Sequence, residues 1–193
     1  MQKFLDWLER VLTPLAKVIG ENKYLVAIRD GFLLSTPLLI VGSVFLLIAN
    51  FPLPQWDTWM SHLLGKDWAT MMSVPASASF DVMTILAVVG IAYSLGKQFN
   101  VDAMQAGIIA LVSFFIVTPY QTLFTPENSS KVYEVTSLPL KWMGSSGLFL
   151  GMIVALIATR LFVAIVRKGW TIKMPEGVPP TVVKSFEALI PSF

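Results

Sequence analysis

The charged residues of this chain fall into groups separated by long uncharged intervals. No Asp, Glu, Lys or Arg occurs from Gly31 to Trp56. Within that interval, Gly31 to Phe51 would extend roughly 31 Å as an α-helix, which matches the roughly 30 Å hydrocarbon core of a bilayer. Three more apolar intervals follow: Phe80 to Gly96 with Asp81 at its start, Ala103 to about Phe124 with no charge, and about Ser145 to Val166 with Arg160 in its last third. Backbone in hydrocarbon must satisfy its own hydrogen bonds, so these intervals predict helices. The expected fold is an all-α membrane protein with about four transmembrane helices, at 31–51, 80–96, 103–124 and 145–166, forming a bundle within residues 24–168.

The two ends read differently. In residues 1–23, Phe4, Leu5, Leu8, Val11, Leu12, Leu15, Val18 and Ile19 recur at helical spacing, while Lys3, Asp6, Arg10 and Lys17 largely keep to the other side. This predicts an amphipathic helix too charged to span, lying on the inner membrane surface or packed on the bundle. Residues 169–193 predict a cytoplasmic, proline-containing segment. MPEGVPP, from Met174 to Pro180, cannot be regular helix because proline lacks the amide donor. Thr181 to Ile190 resumes a helix-like pattern that leads towards a fifth span. Pro37, inside the first span, predicts a kink.

Composition agrees with a lipid environment. Of 193 residues, 55% are apolar and only 13% charged, about half the roughly 25% charge of a soluble domain. A net charge of +2 gives no sign of nucleic-acid binding, and there is no cysteine for a disulfide, thiolate ligand or nucleophile. Asp6, Glu9, Arg10 and Lys17 would ruin a cleavable signal core, so the first span is expected to serve as an uncleaved insertion signal. Alternate assignment of the basic residues puts eleven on one side and three on the other. The rich side holds Lys3, Arg10, Lys17, Lys23 and Arg29, then Lys97, then Arg160, Arg167, Lys168, Lys173 and Lys184; the poor side holds Lys66, Lys131 and Lys141. The positive-inside rule then places both termini in the cytoplasm.

Candidate chemistry is sparse. His62, the one histidine, reads as a solvated or interfacial loop residue, and a phosphohistidine or metal role would need partners beside it. Asp81 reads either as an intramembrane functional carboxylate or, with Ser79, as a helix cap. Arg160 can snorkel to the headgroups, and Arg29-Asp30 reads as a local polar cluster or, more simply, as interface anchoring. Trp56, Trp59, Trp68, Tyr133 and Trp142 read as aromatic anchors at the outer surface, with sugar stacking as the sharper alternative. No Walker loop, catalytic triad or central cluster of ionisable groups is present, so catalytic, metal and cofactor sites are expected to be absent. The stronger signal is small residues: Gly147, Gly151 and Ala155 repeat every four positions, as do Gly90 and Ser94. Such rows let helix backbones approach, within one bundle or across a dimer.

Four stretches carry a family resemblance over essentially the whole chain. They are FLDWLERVLTPLAKVIGENKYLVAIRDGF (Phe4 to Phe32), TPLLIVGSVFLLIANFP (Thr36 to Pro52), AYSLGKQFNVDAMQAGIIAL (Ala92 to Leu111) and MPEGVPPTVVKSFEALIPSF (Met174 to Phe193). Together they resemble the N-terminal part of the membrane (IIC) component of a bacterial sugar phosphotransferase system, of the lactose/cellobiose/diacetylchitobiose family. The resemblance implies a permease of the bacterial inner membrane that takes up a disaccharide while partners phosphorylate it. Phosphate would pass from phosphoenolpyruvate through a IIA histidine and a IIB cysteine on other proteins or domains. It implies ten helices in the whole permease, the first five forming a homodimer and the second half holding the sugar site. Because this sequence stops at Phe193, the resemblance implies a truncated permease, unable to transport alone, with its substrate-binding residues elsewhere. The competing reading is a non-transporting membrane module that associates with a full-length permease.

Overall fold

The computed structural model describes residues 20–125, 131–172, 175 and 178–192, with Arg10, Thr13 and Lys17. The apolar positions of the amphipathic helix expected over residues 1–23 lie outside the described residues. The first long helix, α1, runs Lys23–Ala49 and passes through Pro37. Its N-cap is Asn22, whose side chain accepts from the amides of Tyr24 at 3.0 Å and Leu25 at 3.3 Å, satisfying donors the helix cannot. Next come α2 (Trp56–Leu64) and α3 (Trp68–Phe80), and then α4 (Met83–Gln98) and α5 (Ala103–Val117). The short α6 (Leu140–Met143) and a 3-10 turn at Ser145–Gly147 lead into α7 (Leu148–Arg167). A last helix, α8 (Pro180–Glu187), and a 3-10 turn at Ile190–Ser192 close the described chain.

Helix α4 is the hub: it packs against α1 on one side and against α5 and α7 on the others, while α3 lies along α1. Bulk is distributed inside out. The buried residues of α1 are Ala27, Gly31, Ser35 and Gly42, whereas Leu33, Leu34, Leu38, Ile40 and Leu47 are exposed. An exposed apolar surface this continuous is untenable in water and suits lipid, where helices are held by close packing of small residues. Among the described residues three stretches are long and apolar enough to cross a membrane: Lys23–Ala49, Trp68–Gln98 and Ser145–Arg167. The apolar α5 has 15 residues, about 22 Å at helical rise.

The helix boundaries correct several sequence expectations. Residues 68–80 were expected in an outer loop, because the uncharged interval between Asp67 and Asp81 is too short to span alone. Instead they form α3, which runs almost unbroken into α4, so the second apolar unit begins at Trp68 rather than Phe80. The third helix stops at Val117 and not near Phe124, and the fold is not purely α. A two-stranded antiparallel hairpin, β1 (Gln121–Phe124) and β2 (Tyr133–Thr136), pairs Gln121 with Thr136 and Phe124 with Tyr133. The cause is Thr118-Pro119: the residue before proline is driven out of the α region, and Thr118 is extended at φ −87°, ψ 134°. Beyond it, Thr122, Phe124, Tyr133, Val135 and Thr136 favour strand.

The turn between α4 and α5 is closed by local signals. Asn100 takes the left-handed conformation at φ 58°, the Val101 amide bonds back to the Gly96 carbonyl at 3.1 Å, and the Asp102 side chain accepts from Met104 and Gln105, each at 3.1 Å. This is a helix stop followed at once by a helix start.

One long-range bond fixes the other end. The buried Thr84 hydroxyl donates to the Gly144 carbonyl at 2.6 Å, tying the first turn of α4 to the entry of α7. Thr159 is as deeply buried, yet its hydroxyl has no partner. Thr84→Val is therefore expected to cost about 1–2 kcal/mol, because it orphans a buried carbonyl. Thr159→Val should be neutral or stabilising, because it removes an unpaired polar atom. Thermal unfolding of both variants in detergent checks this, and equal midpoints would refute it.

Candidate functional site

The small residues singled out in the sequence occupy two separate seams. At the first, Gly90 of α4 faces Gly31 of α1. A Cβ built on Gly90 would lie 2.6 Å from the Gly31 carbonyl oxygen, and one built on Gly31 would lie 2.6 Å from the Ile91 Cα. The two backbones touch, with no room for even one methyl between them. Ser94, one turn on, is 7% exposed and lines a groove of about 310 Å³ with Asp30, Leu33, Leu34, Tyr93 and Lys97.

Gly151 and Ala155 of α7, with Gly147 just before it, form the second seam. A Cβ on Gly151 would meet the Thr84 Cγ2 at 2.6 Å and the Val88 Cγ2 at 2.8 Å. Ala155 is fully buried in the cluster of Val88, Ile91, Ala110 and Phe114. Gly147 backs onto the Trp142 carbonyl. Gly90 and Ser94 thus pair with α1, Gly151 and Ala155 with α4 and α5, and the two rows do not meet each other. Sequence reading overlooked the partner row on α1, although Ala27, Gly31 and Ser35 repeat every four positions and are all buried.

The other candidates are scattered. His62 is exposed on α2, and no cluster of His, Asp and Glu that could hold a metal occurs among the described residues. Asp81 does not cap α4: Val82 holds that position, and no side chain caps the helix. A helix already runs into this point, so the Asp81 amide bonds back to the Ser77 carbonyl at 2.9 Å, and the Ser79 hydroxyl donates to the Pro75 carbonyl at 3.0 Å. Asp81 instead borders a cleft of about 380 Å³ with Lys141, Ser145 and Ser146. Trp68, expected as a surface anchor, is 2% exposed, and its indole donates to the Asp57 carboxylate at 2.9 Å; it bolts α3 to α2. The Trp56 indole donates to the Ile48 carbonyl at 2.8 Å, while Trp59 is exposed. Arg29 pairs with its neighbour Asp30 at 2.8 Å.

The geometry described so far holds helices together. Comparison with known proteins adds the wider setting. Residues 29–193 match the family described as "Phosphotransferase system, EIIC". Over 192 residues the chain is 43% identical to the "PTS system cellobiose-specific EIIC component" of Geobacillus stearothermophilus, covering 99% of this chain and 43% of that one. It is 42% identical over 194 residues to the "Lichenan permease IIC component" of Bacillus subtilis (strain 168), covering 100% and 43%. The crystal structure of the transporter ChbC, the IIC component from the N,N'-diacetylchitobiose-specific phosphotransferase system, superposes with a TM-score of 0.90 at 43% identity, covering 97% of this chain and 44% of the other. The chain therefore spans less than half the length of these relatives.

Proposed function

The chain belongs to the phosphotransferase system EIIC family, and from that membership we propose that residues 1–193 form the N-terminal, assembly-making part of a disaccharide permease. It is a multi-pass membrane protein. The sugar would be of the cellobiose, lactose or diacetylchitobiose type, and phosphate would come from phosphoenolpyruvate through IIA and IIB partners. The observation that carries this reading is the unbroken likeness to cellobiose- and diacetylchitobiose-specific components along nearly the whole chain. The close packing of the helices is in keeping with it: the seams bury small side chains against backbone. The proposed membrane arrangement has four spans with both ends in the cytoplasm. The proposed assembly is a homodimer, and the sugar site is assigned to the part of the permease that this chain does not cover.

Uptake by cells lacking their own cellobiose-type permease tests the proposal. With residues 1–193 alone, no phosphoenolpyruvate-dependent accumulation of labelled cellobiose is expected, and accumulation would overturn the assignment of the sugar site. Lysine-directed crosslinking of the purified chain in detergent should give a dimer band; monomer alone would remove the homodimer from the proposal.

A further inference from the structure

Three cations converge on one aromatic ring where α1 begins and α4 and α7 end. Phe99, half-buried just beyond α4, has Lys23 Nζ at 4.9 Å from its ring centroid, Arg167 Cζ at 5.2 Å and Arg160 Cζ at 5.3 Å. Lys23 also donates to the Gln98 carbonyl at 3.4 Å, and Arg167 to the Phe99 carbonyl at 3.2 Å. Among the described residues no carboxylate pairs with any of the three, and Arg160 makes no hydrogen bond. Lys97 over Tyr93 and Lys168 over Trp170 widen the basic rim.

This arrangement repels itself. The three charges lie within about 10 Å of one another, roughly one Debye length at 0.1 M salt. The ring face and two helix-terminal carbonyls attract them, but they carry no formal negative charge. An anion at this point would satisfy all three cations.

The position of Arg160 identifies where the anion comes from. Its backbone lies seven residues before that of Arg167, about 10 Å further down the helix, and its side chain reaches back to the same ring. Ile157 and Leu161, which flank it, are 56% and 59% exposed and give the helix an apolar outer surface there. The Arg160 stem therefore rises along exposed apolar surface to reach the ring, so an anion held here lies directly above that surface, where a lipid phosphate has its own acyl chains to cover it and a soluble acidic partner does not. We propose that Lys23, Arg160 and Arg167, arrayed about Phe99, bind the phosphodiester headgroup of an anionic phospholipid, with its acyl chains laid along Ile157 and Leu161. The inference does not depend on the sugar assignment.

The test is native mass spectrometry of the full chain in a neutral detergent. Its probes are phosphatidylglycerol, phosphatidylcholine of the same acyl chains, and inorganic phosphate. Phosphatidylglycerol should bind at least tenfold more tightly than phosphatidylcholine, and Arg160→Gln or Arg167→Gln should each weaken it about fivefold. Lys66→Gln, at the other end of the bundle, should change nothing. Each variant is first shown to be a single species with parental melting. If Arg160→Gln does not fold, the exposed Arg167→Gln carries the test. Equal binding of the two lipids, or parental affinity in folded arginine variants, would overturn the proposal. Displacement of phosphatidylglycerol by millimolar inorganic phosphate would overturn the lipid source and reassign the site to a free anion.

Discussion

Gly90→Ala is expected to lower stability by about 1–3 kcal/mol, while the same substitution at Gly107, one helix away, should leave it unchanged or raise it slightly. The added methyl at position 90 would sit 2.6 Å from the Gly31 carbonyl oxygen and 3.1 Å from its Cα. Both neighbours are backbone, so no rotamer change relieves the contact, and α1 must move off α4 along its length. At Gly107 the nearest atom is the Val89 Cγ1 at 3.4 Å, an ordinary contact, and alanine is the better helix former by about 1 kcal/mol. Thermal unfolding of both variants in one detergent makes the comparison. Equal melting would mean that the α1–α4 seam yields freely and that its small residues are incidental.

Phe114→Ala should be among the most damaging single truncations of the bundle, at about 3–5 kcal/mol. Phe114 is fully buried where α4, α5 and α7 converge on Val88, Ala110 and Ala155. Several of the side chains in its cluster are alanines, Ala110 and Ala155 among them, which cannot reach into the space it leaves, so a cavity is expected to remain. Lipid supplies no hydrophobic drive to close the gap, and the lost dispersion contacts are not recovered. Ile116, two positions on, is 75% exposed, and Ile116→Ala should change stability by no more than about 0.5 kcal/mol. Unfolding midpoints for the pair, with retention of the single gel-filtration peak, decide the matter. A Phe114→Ala protein that melts like the parent would show that the three-helix centre is not where the fold is held.

What could be read in the sequence was what depends on local composition. The intervals around Gly31–Phe51 and Ser145–Val166 announced helices because charge is expelled from hydrocarbon, and α1 and α7 follow. Helix α3 escaped the same rule, since thirteen residues between Asp67 and Asp81 are too few to cross alone. Its continuation through Asp81 depends on tertiary packing against α1. The end of α5 was legible in Thr118-Pro119, and the strand-forming residues beyond it were outweighed by their lack of charge. The small-residue rows on α4 and α7 were visible at a four-residue period. Which helix each row meets was not, because that depends on the angular placement of α1, whose own row at Ala27, Gly31 and Ser35 went unread. The convergence of Lys23, Arg160 and Arg167 on Phe99 lies further still from sequence, joining positions more than 60 residues apart. Sequence sorted these cations to one side of the membrane, and only the fold gathers them.

The turn at Asn100 bears on how the molecule is made. The bonds that set its path, from the Gly96 carbonyl to the Gln105 amide, join residues within a ten-position window, and Lys23 and Arg167 add bonds to it from distant helices. Helices α4 and α5 are therefore expected to pair as a hairpin before α7 joins them. The slot over Val88 and Phe114 is completed by Ala155 of α7, so packing there is expected to finish only after α7 has been made.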